Sequence, residues 1–112
     1  MDKQRVIFFV GTNPPPGKES EFNTWYDDVH VPMLLKAPGM VRATRYQLVG
    51  EKEGVPKYLA IYEMEDKAAF AGLDQSPERV VAQKQRLEQW SGGPDFSVVW
   101  RAAFKVLSEH EK

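Results

Sequence analysis

The sequence predicts an α+β domain in which two helical segments cover one face of a four-stranded antiparallel sheet. Three observations support this fold class. Four short runs are rich in β-branched and aromatic residues, two segments have helical spacing of apolar residues, and turns rich in glycine and proline separate them. The chain has 112 residues, the length of one domain, so we treat residues 1–112 as a single unit.

The first part of the chain supplies one strand and one helix. Residues 5–10 form a β-branched and aromatic run, which predicts a strand, and the proline-rich segment 13–17 cannot continue it. Apolar side chains recur three and four positions apart in residues 19–30, which predicts an amphipathic helix. Since Pro32 has no backbone donor and its ring crowds the preceding turn, we expect this helix to kink or end near His30.

The remainder of the chain supplies three strands and a second helical region. Residues 40–49 and 57–64 form two strands joined by the polar, glycine-bounded loop 50–54, which is typical of a hairpin. A helical region then covers residues 66–90, and residues 96–106 form the last strand.

A break divides the second helical region at residues 73–77. Ser76 has the features of an N-cap, and Pro77 fits the first helical position, where a missing amide donor costs nothing. The resulting order is β-α-β-β-α-β, which is the ferredoxin-like arrangement.

The strands also predict a homodimer. The first strand carries apolar side chains on both faces, and the last strand places Trp100 and Phe104 on one continuous apolar face. Two helices can cover only one face of a four-stranded sheet, and large exposed apolar patches are rare on monomers. The simplest cover for the second face is the same sheet of another copy, packed face to face.

Composition excludes several classes of function. The formal net charge is −1 without a basic run, which argues against nucleic acid as a partner. The absence of cysteine excludes thiolate chemistry, and His30 and His110 are the only histidines, so we expect no metal site. The apolar run before Gly11 is too short for a membrane span, and we expect a cytoplasmic protein.

The first helix carries the candidate catalytic residues. One face of it bears an indole, a phenol and an imidazole, and each of these rings has a polar atom that needs a partner when buried. The residues on this face are Phe22, Trp25, Tyr26, Val29 and His30. An inward-facing histidine with a tyrosine one turn back suits proton transfer on a small molecule, although a histidine bonded to a core carbonyl would give the same pattern. Asp27 is a candidate for orienting His30.

The strands add candidates for binding a substrate. We expect Arg45 to point inward, since it shares a face with Val41 and Ala43, and to bind a carboxylate or an enolate. An ion pair of Arg45 with Glu63 on the neighbouring strand is the alternative. Tyr62, in the middle of a strand, is the tyrosine of the strands best placed to reach a cavity. Trp100 would be either dimer interface or pocket wall.

These residues resemble a known group. The sequence is similar to the dimeric α/β-barrel superfamily, and within it to EthD-like proteins. The likeness rests on the β-α-β-β-α-β order and on four short motifs: Phe22-x-x-Trp25-Tyr26-x-x-x-His30-x-Pro32, Pro38-Gly39, Arg45-Tyr46 and Ser76-Pro77-Glu78.

The resemblance implies an architecture and a range of reactions. In this superfamily two protomers pack their sheets into a barrel, and each keeps a small-molecule pocket between its sheet and its helices. Members include cofactor-free monooxygenases, muconolactone-type isomerases, and polyketide cyclases and decarboxylases. The resemblance assigns the pocket histidine to His30 and the aromatic wall to Trp25 and Tyr26. This sequence lacks the second pocket histidine of some relatives.

The sequence thus leads to one functional hypothesis and two alternatives. The first is a small cofactor-independent enzyme that uses His30 and Tyr26 for isomerisation, cyclisation, dehydration or decarboxylation of a hydrophobic aromatic or polyketide-like carbonyl compound. In this hypothesis Trp25, Arg45, Tyr62 and Trp100 contact the substrate. The alternatives are a cofactor-free monooxygenase and a protein that binds a small molecule without chemistry.

Overall fold

The computed structural model describes residues 4–73, 75–90 and 97–112, with side-chain surroundings described outside 86–90 and 97–99. The strands form one antiparallel sheet in the order β2-β3-β1-β4. The elements are β1 (Val6–Asn13), α1 (Glu19–Trp25), a π-helical turn (Tyr26–His30), α2 (Val31–Leu34), β2 (Met40–Gln47), β3 (Tyr58–Met64), α3 (Lys67–Leu73), α4 (Pro77–Trp90) and β4 (Ser97–Lys105). The predicted α+β class and ferredoxin-like order are confirmed; the predicted start of the last strand at residue 96 lies outside the described residues.

The helix that carries His30 continues past the point where we expected it could end. Of the two outcomes expected near His30, a kink or an end, the end is wrong, because helical backbone runs on to Leu34; a π-helical turn interrupts the regular helix instead. The amide of Val31 donates to the carbonyl of Tyr26, five residues back, which widens the helix by one residue for one turn. Pro32 then lies in the first turn of α2, where a missing amide donor is tolerated. The wider turn thus lets the chain pass the proline without breaking the helix.

The core lies between the helices and one face of the sheet. Alternate residues of β3 are buried on this face, as the strand period requires. They meet the inner side of the helices in one cluster, which includes Phe8, Phe22, Tyr26, Leu34, Tyr62, Met64 and Ala82. No helix among the described residues is long and apolar enough to cross a membrane.

The predicted cap of the second helical region is also confirmed. Ser76 caps α4, because its Oγ accepts a hydrogen bond from the amide of Arg79 at 3.1 Å. Gly39 forms the turn before β2 with φ of 81°, in the left-handed region that favours glycine. A Cβ at Gly39 would lie 2.4 Å from the Cβ of Ala69, so this glycine also allows α3 to approach the turn closely.

The other face of the sheet exposes apolar side chains, as the strand pattern predicted. Phe9 packs edge-on against Phe104, with ring centroids 5.2 Å apart, and Trp100 lies beside Phe9 at 6.4 Å. Trp100 is 39% exposed and Phe104 is 57% exposed in the single chain. We call this surface, made by Phe9, Trp100 and Phe104 together with Ile7 and Ile61, the outer apolar face.

Candidate functional site

The π-helical turn brings two aromatic side chains together around His30. Trp25 stacks on the imidazole with centroids 4.9 Å apart and an interplanar angle of 23°, and Tyr26 meets it edge-on at 4.9 Å. In a regular α-helix, residues five apart point in different directions. The extra residue of the π-helical turn removes this difference, so Trp25 and His30 can stack. His30 is only 7% exposed and is therefore held between two rings rather than in water.

Tyr26 and Tyr62 form a buried hydroxyl pair beside this stack. The Tyr62 hydroxyl donates to the Tyr26 hydroxyl across 3.4 Å, which joins the helix to the middle of the sheet. Burial raises the pKa of Tyr26, and it raises the pKa of Tyr62 well above its ordinary value. Both phenols are therefore neutral near pH 7. Tyr26 can donate a hydrogen bond to an oxygen atom, but it cannot serve as a base there.

The structure places Arg45 inward, where it is already engaged by the helix. Its Nη2 donates to Oδ1 of Asn23 at 2.8 Å, and its Nη1 donates to Oδ1 of Asp27 at 3.2 Å. The guanidinium also lies 4.4 Å from the centre of the Tyr26 ring, which is a cation–π contact. Arg45 thus fastens β2 to the helix and holds the Tyr26 ring in place.

Two expectations about Arg45 need correction. The alternative ion pair with Glu63 is wrong, because Glu63 pairs with Arg5 at 3.1 Å and with Arg42 at 3.6 Å. The expectation that Arg45 shares a face with both Val41 and Ala43 was also partly wrong. A β-bulge between Met40 and Arg42 leaves Val41 exposed, so of these two residues only Ala43 lies on the core face with Arg45.

Two further arginines contribute charge near Tyr26. The positive charges of Arg45, Arg79 and Arg101 oppose the effect of burial on the Tyr26 pKa. Neither Arg79 nor Arg101 was among the residues predicted from the sequence. Strand alternation could have found Arg101, because it pairs with Val10 in the register and therefore shares the core face with that residue. Arg79 gave no such signal, since its role depends on how α4 packs.

The predicted site residues divide into two groups. Trp25, Tyr26 and His30 on the helix meet Arg45 and Tyr62 from the sheet in one aromatic and cationic cluster. Trp100 does not join them, because it lies on the outer apolar face against Phe9. Of the two roles expected for Trp100, this position favours the dimer interface.

An open groove lies along the helix beside the cluster. It has a volume of about 520 Å³ and includes Trp25, the stacking partner of His30. The side chains that line it are Ser20, Glu21, Thr24, Trp25, Asp28 and Val29. Within the described ranges, no group of three histidine or carboxylate side chains is arranged to hold a metal ion.

Comparison with known proteins defines the fold. No protein-family model and no curated protein matches the sequence. An EthD family protein from Bacillus halodurans aligns with a TM-score of 0.66 and 15% identity, over 93% of this chain and 99% of that one. HapK from Hahella chejuensis aligns with a TM-score of 0.70 and 15% identity, over 96% and 97%. The heme-degrader MhuD from Mycobacterium tuberculosis, solved with two hemes in its active site, aligns at 0.66 and 15%, over 95% and 99%.

These alignments cover nearly the whole of each chain at low identity. They therefore confirm the predicted resemblance to EthD-like proteins at the level of the fold. One fold supports many reactions, so the likeness does not by itself define the reaction of this chain.

We predict that Arg45→Met destabilises the protein, whereas Arg42→Met does not. The Arg45 side chain is 15% exposed, and its loss leaves Asn23 and Asp27 without their donor and Tyr26 without its cation. The free energy of unfolding should fall by about 1–3 kcal/mol. The Arg42 side chain is 70% exposed, so its replacement should change stability by less than about 0.5 kcal/mol. Urea unfolding measures both; equal effects would contradict the buried role of Arg45.

We also predict a loss of stability in alkaline solution that depends on Tyr26 and Tyr62. Burial raises the pKa of Tyr26 and of Tyr62 in the folded state only. The two neutral phenols therefore make their full contribution to the free energy of unfolding below the pKa of about 10 that tyrosine has in the unfolded chain. This contribution is lost as the pH rises above that value and through the higher pKa values of the folded state. Urea unfolding between about pH 8 and 11 should show this slope. Tyr26→Phe should flatten the slope, and the same change at exposed Tyr46 should not; the reverse order would refute the assignment.

Proposed function

We propose that this protein is a small enzyme that transfers a proton on a hydrophobic carbonyl compound of aromatic or polyketide-like character, with His30 as the acid and base. One observation supports this proposal above the others. The buried imidazole of His30 is stacked on Trp25 and contacts the ring of Tyr26, whose hydroxyl is paired with that of Tyr62, so a proton carrier and a hydroxyl donor occur together in an aromatic environment.

The cluster contains the groups that enolate chemistry requires. Isomerisation, cyclisation, dehydration and decarboxylation of carbonyl compounds all place negative charge on an oxygen in the transition state. The neutral phenol of Tyr26 would donate to that oxygen, while Arg45, Arg79 and Arg101 supply positive charge around the phenol. Because Arg45 is held by Asn23 and Asp27, it would act through its charge and through Tyr26. The surrounding rings would keep water away and strengthen these interactions.

A monooxygenase without a cofactor is the second candidate. The specific observation that favours it is the fold shared with MhuD, a heme-degrader. In this case the substrate anion itself would react with oxygen, and the aromatic cluster would exclude water. A protein that only binds a small molecule is the third candidate, and it requires the same cluster without turnover.

The proposal includes a homodimer formed through the outer apolar face. Trp100 and Phe104 are exposed in the single chain and Phe9 is half-buried beside them, on the side of the sheet that the helices do not cover. Association of two copies through this face would remove these side chains from water. Because the outer apolar face is opposite the His30 cluster, the dimer would leave the groove beside Trp25 accessible.

Replacement of His30 tests the reaction. Native mass spectrometry of the purified protein first identifies any retained small molecule, which guides the choice of carbonyl compound. In D₂O, the wild type should catalyse exchange of a proton next to the carbonyl, followed by NMR. His30→Gln should slow this exchange by about 10²–10⁴-fold and leave ligand affinity within a few fold. His110→Gln, in the exposed tail, is the control and should behave as the wild type.

Three results would reject the proton-transfer proposal in different ways. Exchange that survives His30→Gln would remove His30 from the mechanism. Oxygen consumption with a quinol or anthrone substrate would favour the monooxygenase. Retained affinity without exchange or oxygen consumption in the wild type would favour a binding protein.

Replacement of Phe104 tests the dimer. A carboxylate in the centre of an apolar interface would be buried without a partner, so Phe104→Asp should yield monomers at micromolar concentration. Val49→Asp is the matched control, because Val49 is an exposed apolar residue in the loop after β2 and lies outside the outer apolar face. Light scattering measures both variants. A wild type that is monomeric, or a Phe104→Asp variant that stays dimeric, would exclude this interface.

A further inference from the structure

One edge of the sheet is open on the side that faces the helices. On this side of β3 the alternate residues are all buried. The same side of the edge strand β4 carries Arg101, Ala103 and Lys105, and all three are exposed. Val10 of β1, which pairs with Arg101, is half-buried and packs against the core. The helical cover therefore ends between β1 and β4, and we call the three exposed positions of β4 the open strip.

Arg101 lies in the same row of the sheet as Arg45. The register pairs Arg101 with Val10 on β1. Val10 in turn pairs with Ala60 on β3, and Ala60 pairs with Arg45 on β2. Residues paired in register lie on one side of a sheet, so this row places one arginine at each edge. The guanidinium of Arg45 lies 4.4 Å from the centre of the Tyr26 ring, and the charge of Arg101 also acts on Tyr26.

The two arginines differ in what they already bind. Both terminal nitrogens of Arg45 are engaged, one by Asn23 and the other by Asp27. Arg101 is exposed, and it makes no hydrogen bond or ion pair with the described residues. A guanidinium is always charged and presents a rigid fork of N–H donors. Arg45, which the sequence predicted to bind a carboxylate, is therefore occupied within the protein, whereas Arg101 is available for an anion.

We propose that Arg101 binds an anionic group of the substrate, and that the substrate is a carbonyl compound that also carries a carboxylate. This inference rests on the proposed function, because it narrows the substrate class of that site. A carboxylate matches the guanidinium fork through two parallel N–H···O bonds. Arg101 lies on the opposite side of the sheet from the outer apolar face, so the proposed dimer leaves the open strip accessible.

The position of Arg101 separates the anion from the reacting group. Arg101 is on β4 and Tyr62 is on β3, with β1 between them. Strands are spaced by about 4.8 Å, so the two backbones are at least about 10 Å apart. A carbonyl oxygen that meets the Tyr26–Tyr62 hydroxyl pair would therefore lie across an aromatic ring from the carboxylate. In this arrangement the carboxylate orients the substrate and takes no part in the bond changes.

A pair of matched ketones tests the role of Arg101. In 4-acetylbenzoate a carboxylate lies across the ring from the carbonyl group, and 4-acetylbenzamide is its neutral counterpart of similar shape. Isothermal titration calorimetry at low ionic strength should show that the wild type binds the acid about tenfold more tightly. Arg101→Gln should weaken binding of the acid by about tenfold and change binding of the amide by less than about twofold. Lys105→Gln, at the other exposed cation of the open strip, is the matched control and should keep the preference.

Two further measurements distinguish binding of the anion from a structural role. Arg101→Lys keeps the charge but loses the fork of donors, so it should retain part of the preference for the acid. Added salt should weaken binding of the acid and leave binding of the amide unchanged, because salt screens exposed ion pairs. A residue that merely supports the structure would lower the Tm when replaced and would leave the preference unchanged.

The outcomes separate this inference from the proposed function. Equal affinity for the two ketones, binding of neither, or a preference that survives Arg101→Gln would overturn the role of Arg101. If proton exchange that depends on His30 persists in that case, the proposed function stands. A preference for the acid that Arg101→Gln removes, in a wild type that exchanges no acetyl protons in D₂O, would support the role of Arg101 and count against proton transfer.

Discussion

The π-helical turn at Tyr26–His30 is the constraint on which the candidate site depends. A proline placed inside a helix removes one hydrogen bond and collides with the carbonyl four residues before it. Here the preceding turn is widened by one residue, so Pro32 begins a new helical turn and the chain continues to Leu34. The same extra residue aligns Trp25 with His30. The stack on the imidazole and the accommodation of the proline thus have a single structural cause.

The cluster around this turn combines burial with fixed positive charge. Burial keeps the phenols of Tyr26 and Tyr62 neutral, and three arginines on β2, α4 and β4 act in the opposite direction on Tyr26. Such a site is poor at holding a phenolate and good at donating to an oxygen that becomes negative during a reaction. Arg45 contributes structure as well as charge, because Asn23 and Asp27 hold its guanidinium over the Tyr26 ring.

Element order and the cap at Ser76 could be predicted because they depend on local patterns. The outer apolar face could be predicted for the same reason, since strand alternation assigns Phe9 and Phe104 without reference to other elements. The π-helical turn could not, because apolar spacing in residues 19–30 fits either kind of helix. The partner of Arg45 depends on a bulge and on packing between distant elements.

The widened turn makes the length of this segment as important as its composition. A plain α-helix through the same residues would place His30 about 140° away from Trp25 around the helix axis. All of the aromatic residues would still be present, yet the indole would no longer cover the imidazole. A plain α-helix with one residue fewer between the two rings would bring them back to one face, at a spacing of four residues. When distant proteins of this fold are aligned, a single-residue gap in this segment would therefore mark chains that can form the same contact without a widened turn.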